Sequence, residues 1–153
     1  MKIKAKLQEY VLPPTFFVIC AILAVVLGII QYINVIIFPY DLFGVLFLFM
    51  GLYISRMSSN KFEKVKTNIN TFDEPDKLVT DGPFRYSRNP MYLGFATALF
   101  GISIILGTLL AFIPFILFIV VTDQWYIKFE EKMMIKKFGE KYLNYIRTTR
   151  KWI

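Results

Sequence analysis

Met91-Tyr-Leu-Gly-Phe-Ala-Thr-Ala-Leu-Phe-Gly-Ile-Ser-Ile-Ile-Leu-Gly-Thr-Leu-Leu-Ala-Phe-Ile-Pro-Phe-Ile-Leu-Phe-Ile-Val-Val-Thr122 is a run of 32 residues without one charge. As a single helix it would extend roughly 48 Å at about 1.5 Å per residue, against a hydrocarbon layer of about 30 Å. It therefore predicts two apolar helices folded as a tight hairpin, with Gly107-Thr108 as the turn. Two further apolar stretches precede it. Thr15 to Ile33 is uncharged and follows Pro13-Pro14, residues suited to a helix start. Val35 to Ile54 has Pro39 and Asp41 near its beginning, which assigns residues 34 to 41 to a turn. The expected fold is an all-α integral membrane protein with about four transmembrane helices, a polar loop and an amphipathic helical tail.

Composition agrees. The 153 residues suffice for one domain, and 56% of them are hydrophobic and 18% aromatic, more than a soluble domain of this size can cover. Histidine is absent, which excludes Ser-His-Asp triads, His-ligated metals and imidazole acid–base chemistry. A single cysteine, Cys20, allows no internal disulfide or thiolate cluster.

The 18 Lys and Arg residues are confined to three places: the first six residues, Arg56 through Arg88, and Lys128 through Lys151. Four spans put all three on one side, and the positive-inside rule makes that side cytoplasmic, the plasma membrane being the expected location in a prokaryote. A signal peptide could mimic the first span, but Gln31-Tyr32-Ile33 is a poor cleavage site. Nucleic acid is not an expected partner, because topology and anionic lipid account for the basic residues.

Chemistry-bearing residues cluster on the basic side. The loop ends in Asp81-Gly-Pro-Phe-Arg-Tyr-Ser-Arg-Asn-Pro-Met-Tyr-Leu-Gly94, whose turn signals hold Arg85 and Arg88 in irregular backbone before the third span. Such backbone is either a binding element or simply a basic loop leading to a proline at the first helical position. Glu130-Glu131 follows the fourth span, either as partners of Lys132 to Lys137 on a solvated face or as site carboxylates. Ile135, Phe138, Tyr142 and Ile146 recur at helical spacing in a tail that lies on the membrane surface or folds back over the loop, with Gly139 dividing it into two helices. Gly94, Ala98 and Gly101 share a face suited to close helix packing, although Gly94, one turn from the Asn89-Pro90 bend, also suits contact between backbone and a flat ligand. Pro114 is expected to kink the fourth span, and Asp123 to pair with an Arg of the loop or simply reach the interface.

Taken together, the Gly-Pro-aromatic-Arg-Tyr-x-Arg-x-Pro-x-Tyr-Leu-Gly loop, the helical hairpin, the Glu-Glu pair and the Phe-Gly-x-x-Tyr-x-x-Tyr tail resemble the isoprenylcysteine carboxyl methyltransferase family and its phospholipid methyltransferase relatives. The match covers about residues 78 to 150. It implies a membrane-embedded methyltransferase using S-adenosylmethionine and releasing S-adenosylhomocysteine. The acceptor would be lipophilic, an isoprenylcysteine-like carboxylate, a thiol or a lipid amine, entering from the bilayer between the third and fourth spans along their aromatic residues. The chain would be one domain over 1–153, with less specific spans and loop over 1–77 and the cofactor-binding core over 78–153. The resemblance assigns Arg85, Tyr86, Arg88, Asn89, Pro90, Tyr92, Leu93, Gly94, Glu130, Glu131 and Tyr142 to the cofactor, with Arg88, Asn89 and Glu131 catalytic and no metal. Asn89 stands where many members have His, and an amide cannot take a proton at neutral pH. Two other classes compete. A small transporter or structural membrane subunit would call for a mid-span charge, absent from the first three spans, and a reductase on a related fold would call for a nicotinamide fingerprint, also absent.

Overall fold

The structure is a computed structural model that describes residues 11–31, 33–65 and 76–153. The basic start, Tyr32 and residues 66–75 of the polar loop lie outside the described residues, and with them the expectations placed there.

The described residues are helical, in the order α1 (Pro13–Ile30), α2 (Leu42–Val65), a short 3-10 turn (Gly82–Arg85), α3 (Pro90–Leu106), α4 (Phe112–Val121), α5 (Lys128–Phe138) and α6 (Glu140–Thr148). Three continuous helical stretches are long and apolar enough to cross a membrane: α1, α2 and the run Leu109–Phe138 that contains α4 and α5. Only α3, at 17 residues, is shorter than the four-span expectation. The prolines explain two starts, since Pro13 and Pro90 occupy first-turn positions where no amide hydrogen is needed. Ile22, Ile29, Phe43 and Phe49 are well exposed, as helices facing lipid require.

α2 and α3 run antiparallel along a seam of missing side chains. A Cβ at Gly51 would lie 2.4 Å from the Gly94 carbonyl oxygen, and one at Gly101 would lie 2.4 Å from the Leu48 nitrogen. Gly44 faces Gly101 in the same way. Backbones can approach this closely only because both helices offer glycine, the small-residue packing of membrane helices. The hairpin turn falls where the sequence puts it: Gly107, at φ +69°, ends α3, and its carbonyl accepts from the amides of Val35 and Ile36 at 2.7 and 3.0 Å. That clasp ties the 33–41 turn to the hairpin.

Three expectations are corrected. Pro114 lies in the first turn of α4, where it costs no hydrogen bond; the irregular stretch of this span is instead a π turn at Thr122–Ile127. α2 does not end at Ile54 but continues to Val65, because Ser58 packs inward and Phe62 and Val65 cover a core of Val79, Phe84, Tyr142 and Tyr145. The aromatic passage between third and fourth spans is filled. Phe95 meets Phe118 edge-on at 6.4 Å, Phe100 meets Phe112 and Phe115 at 5.9 and 5.4 Å, and Phe17 of α1 stacks on Phe95 at 4.8 Å.

Candidate functional site

Residues separated by about forty positions meet at the basic end. Asn89 precedes α3, and Arg88 before it points its guanidinium at the end of α6. Arg88 Nη1 donates to the Thr149 carbonyl at 2.6 Å and the Ile146 carbonyl at 3.4 Å, and Nη2 meets Glu131 Oε1 at 2.6 Å. The last carbonyls of a helix have no intrahelical donor, so a cation there both caps the helix and opposes its dipole. The Arg88 amide donates to the Arg150 carbonyl at 2.9 Å, fixing loop and tail side by side. Both charged side chains are largely withdrawn from solvent, at 8% and 20% exposure. Arg88 Nε is buried and has no hydrogen-bond partner among the described residues.

The second carboxylate of the pair is also engaged. Tyr92, buried in the first turn of α3, donates its hydroxyl to Glu130 Oε1 at 2.5 Å. Glu130 and Glu131 therefore reach two different partners on adjacent parts of one surface. The π turn contributes to this, because each extra residue in a turn rotates the helix face beyond it by about 100°. The solvated-face reading with Lys132 to Lys137 is not what the structure shows for Glu131, whose ion pair is with Arg88.

Behind the cluster stands an aromatic wall. Tyr142 is buried beside Arg88, Glu131 and Glu130; burial first, then the two carboxylates, push its hydroxyl up to about 12, while Arg88 pulls the other way. Tyr145 is also raised, chiefly by burial, and donates to the Phe84 carbonyl at 2.5 Å. This bond and the Phe84 packing fold the tail over the loop rather than away from it. Gly139, at φ +51°, separates α5 from α6 as the sequence suggests.

The remaining candidates divide. Asn89 is buried, and its side-chain amide donates to the Lys151 carbonyl at 3.0 Å while its backbone N–H donates to Ser87 Oγ at 3.1 Å; it fastens the tail. Pro90 starts α3 and is buried, and Leu93, half-buried, continues the helix. Gly94 packs against α2, the space of its absent side chain being filled by the Gly51 carbonyl and the Ser55 nitrogen, each of which would lie 2.6 Å from a Cβ there. Arg85 and Tyr86 are exposed and are not brought to the cluster, and among the described residues Arg85 forms no ion pair. Asp123 meets the tail instead of a loop arginine: Lys151 Nζ lies 3.2 Å and Trp152 Nε1 3.0 Å from its Oδ1. Ser87, Lys151 and Trp152 escaped sequence reasoning because two of them act through hydroxyl or carbonyl oxygens, which no residue pattern encodes. The tryptophan, an indole N–H donor near a chain end, was the readable signal.

Comparison with known proteins bears on the whole arrangement. An uncharacterised protein of Haemophilus influenzae is 36% identical over 63 residues, which are 41% of this chain and all of that protein. No solved structure matches the chain. The profile described as phospholipid methyltransferase matches residues 40–141, which run from the start of α2 into α6 and include the loop motif, the hairpin and both glutamates. With well over half of its length matched, the chain belongs to the phospholipid methyltransferase family, whose general chemistry is methyl transfer.

Proposed function

We propose that this protein is an S-adenosylmethionine-dependent methyltransferase, with its site at the basic, cytoplasmic end and a lipophilic acceptor drawn from the membrane. The observation that carries this reading is the convergence of Arg88, Glu131, Tyr92 and Glu130 across two motifs distant in sequence. The donor set suits the cofactor. Arg88 Nε is a buried N–H without an acceptor among the described residues, which a carboxylate would satisfy, and Glu130 and Glu131 supply acceptors for an amine or ribose hydroxyls.

When bound, S-adenosylmethionine supplies an electrophilic methyl group carried on a sulfonium. The chain's own residues bind, orient and exclude water. Arg88 keeps its plane fixed through Thr149 and Glu131, so its third donor is held in one direction. Tyr92 fixes one Glu130 oxygen, and the Tyr142–Tyr145 wall removes water from that side. Alignment rather than proton transfer is the main demand on such a site, and Asn89, bonded to Lys151, moves no proton. A carboxylate or thiolate acceptor needs no base, whereas an amine acceptor has to arrive unprotonated.

The test is calorimetric titration of S-adenosylhomocysteine into the purified protein in detergent. A saturable isotherm with Kd below about 1 mM is expected, in the range typical of enzyme ligands. Flat heats from demonstrably folded protein would leave a helical bundle with a structural role. Radiolabelled methyl transfer onto candidate acceptors then separates carboxylate, thiol and lipid amine.

A further inference from the structure

Beside the face of α2 that meets the aromatic wall, the basic end carries a groove that the methyl-transfer reading does not use. Its volume is about 250 Å³, and it is lined by Tyr53, Arg56, Met57, Asn60, Lys61 and Lys64, with Pro83 of the loop closing one side. The six helical residues follow the three-and-four spacing of one helix face. Above them on α2, Leu46 and Phe49 are exposed, and Tyr53 itself is 68% exposed. The face thus changes along its length from aliphatic and aromatic to amphipathic to cationic, the polarity profile of a phospholipid from acyl chain to headgroup.

Charge within the groove is only partly neutralised. Lys61 is paired with Asp81 at 2.5 Å, and Arg56 has Glu63 at 3.8 Å, an exposed and weak pair. Lys64 forms no ion pair among the described residues. Asn60 Oδ1 is buried and has no hydrogen-bond donor among the described residues. A ligand that satisfies all of these has a phosphate for Arg56 and Lys64 and a hydroxyl or ammonium for Asn60, with an apolar portion to lie against Tyr53 and Met57.

We propose that this groove is a binding site for one anionic phospholipid, its phosphodiester held by Arg56 and Lys64 and its polar headgroup donor by Asn60. A generic basic rim would attract anionic lipid in proportion to charge alone. A built groove discriminates by position and by headgroup.

The test needs neither cofactor nor acceptor, so its outcome is independent of the methyltransferase reading. Dioctanoyl phosphatidylglycerol is titrated into the full-length protein in neutral detergent, and binding is followed by the rise of the melting midpoint. Saturable stabilisation is expected, with none from dioctanoyl phosphatidylcholine or inorganic phosphate at the same concentrations. Arg56→Gln and Lys64→Gln are each expected to weaken binding about fivefold, the effect of one cation at an anionic surface. Lys132→Gln with Lys136→Gln, which removes two charges from α5, is the control and should leave binding unchanged. Equal loss from the control pair, equal stabilisation by phosphatidylcholine, or competition by inorganic phosphate would each overturn the proposal, as would no saturable shift.

Discussion

Two of the interfaces that hold α3 in place are made of opposite materials. Along its length α3 meets α2 through Gly94, Ala98 and Gly101 against Gly44, Gly51 and Ser55, a seam defined by what the residues lack. At its start it meets the tail through Arg88, Asn89 and Tyr92, a junction defined by a few directed polar bonds. Shape complementarity of the first kind tolerates no added atom and is blind to charge and pH. Polar bonding of the second kind tolerates changes of volume but depends on each partner being present and in the right protonation state. The same helix is thus anchored rigidly by one neighbour and chemically by another, as a site requires when reactive groups are mounted on a fixed scaffold.

The seam should break hardest. In Gly51→Val the new side chain meets the Gly94 carbonyl and the Ala98 amide nitrogen at the 2.4 Å separations of a bare Cβ, both of them backbone atoms that cannot rotate away. Destabilisation beyond about 3 kcal/mol is expected, seen as loss of a monodisperse peak in size-exclusion chromatography. A Gly51→Val protein that melts with the wild type would show that α2 and α3 do not pack as described.

The polar junction should lose function before fold. Arg88→Ala leaves Glu131 as a poorly solvated carboxylate and uncaps α6, a loss on the order of 3 kcal/mol in thermal unfolding. Glu131→Gln keeps shape and hydrogen-bonding capacity and should cost less stability. Both are expected to weaken S-adenosylhomocysteine binding at least about tenfold, the equivalent of about 1.4 kcal/mol. If Glu131→Gln bound the ligand as the wild type does, Arg88 and Glu131 would be a helix cap and its counter-ion only.

What could be read from the sequence follows the same division. Hydrophobic length gave the spans, and the left-handed requirement of a tight turn located Gly107 without any knowledge of contacts. The Gly94, Ala98 and Gly101 face was readable too, but its partners were not, because Gly44 and Gly51 sit in an apolar run where any small residue has several explanations. Arg88 and Glu131 were legible as motif positions, whereas the helix end that binds the Arg88 guanidinium was not, since its acceptors are backbone carbonyls. The extension of α2 to Val65 was missed because the polar face of that segment hides an inward stripe of Ser58, Phe62 and Val65.

Tyr92→Phe sharpens the division at a smaller scale, because it removes one hydroxyl and leaves the ring, which stacks on Tyr126 at a centroid distance of 6.4 Å, in place. The loss of a hydrogen bond to a charged acceptor amounts to about 1.5 kcal/mol. The helix seam is untouched, so unfolding should remain cooperative. Glu130→Gln combined with Tyr92→Phe should cost little more than either change alone if the two groups act as a pair, and a fully additive double mutant would mean that they do not.

The smallest effect at neutral pH is the most selective, because the α2–α3 seam has no titratable group whereas the polar junction includes Tyr142. In the unfolded chain the Tyr142 phenol ionises near its ordinary value of 10, while in the folded protein it keeps its proton until about 12. The unfolded state therefore loses that proton first as pH rises, and ionisation favours unfolding. Stability contributed by Tyr142 is complete below pH 10 and declines between 10 and about 12, and Tyr145, raised in the same direction, adds to the slope. Unfolding midpoints measured across that window should fall less steeply for Tyr142→Phe than for the wild type, with little difference at pH 7. Gly51→Ala, if it folds, should shift the midpoint without changing the slope, because it alters only the packing seam. An unchanged slope in Tyr142→Phe would mean that the phenol is solvated in the folded state and that the tail does not close over the Arg88 cluster.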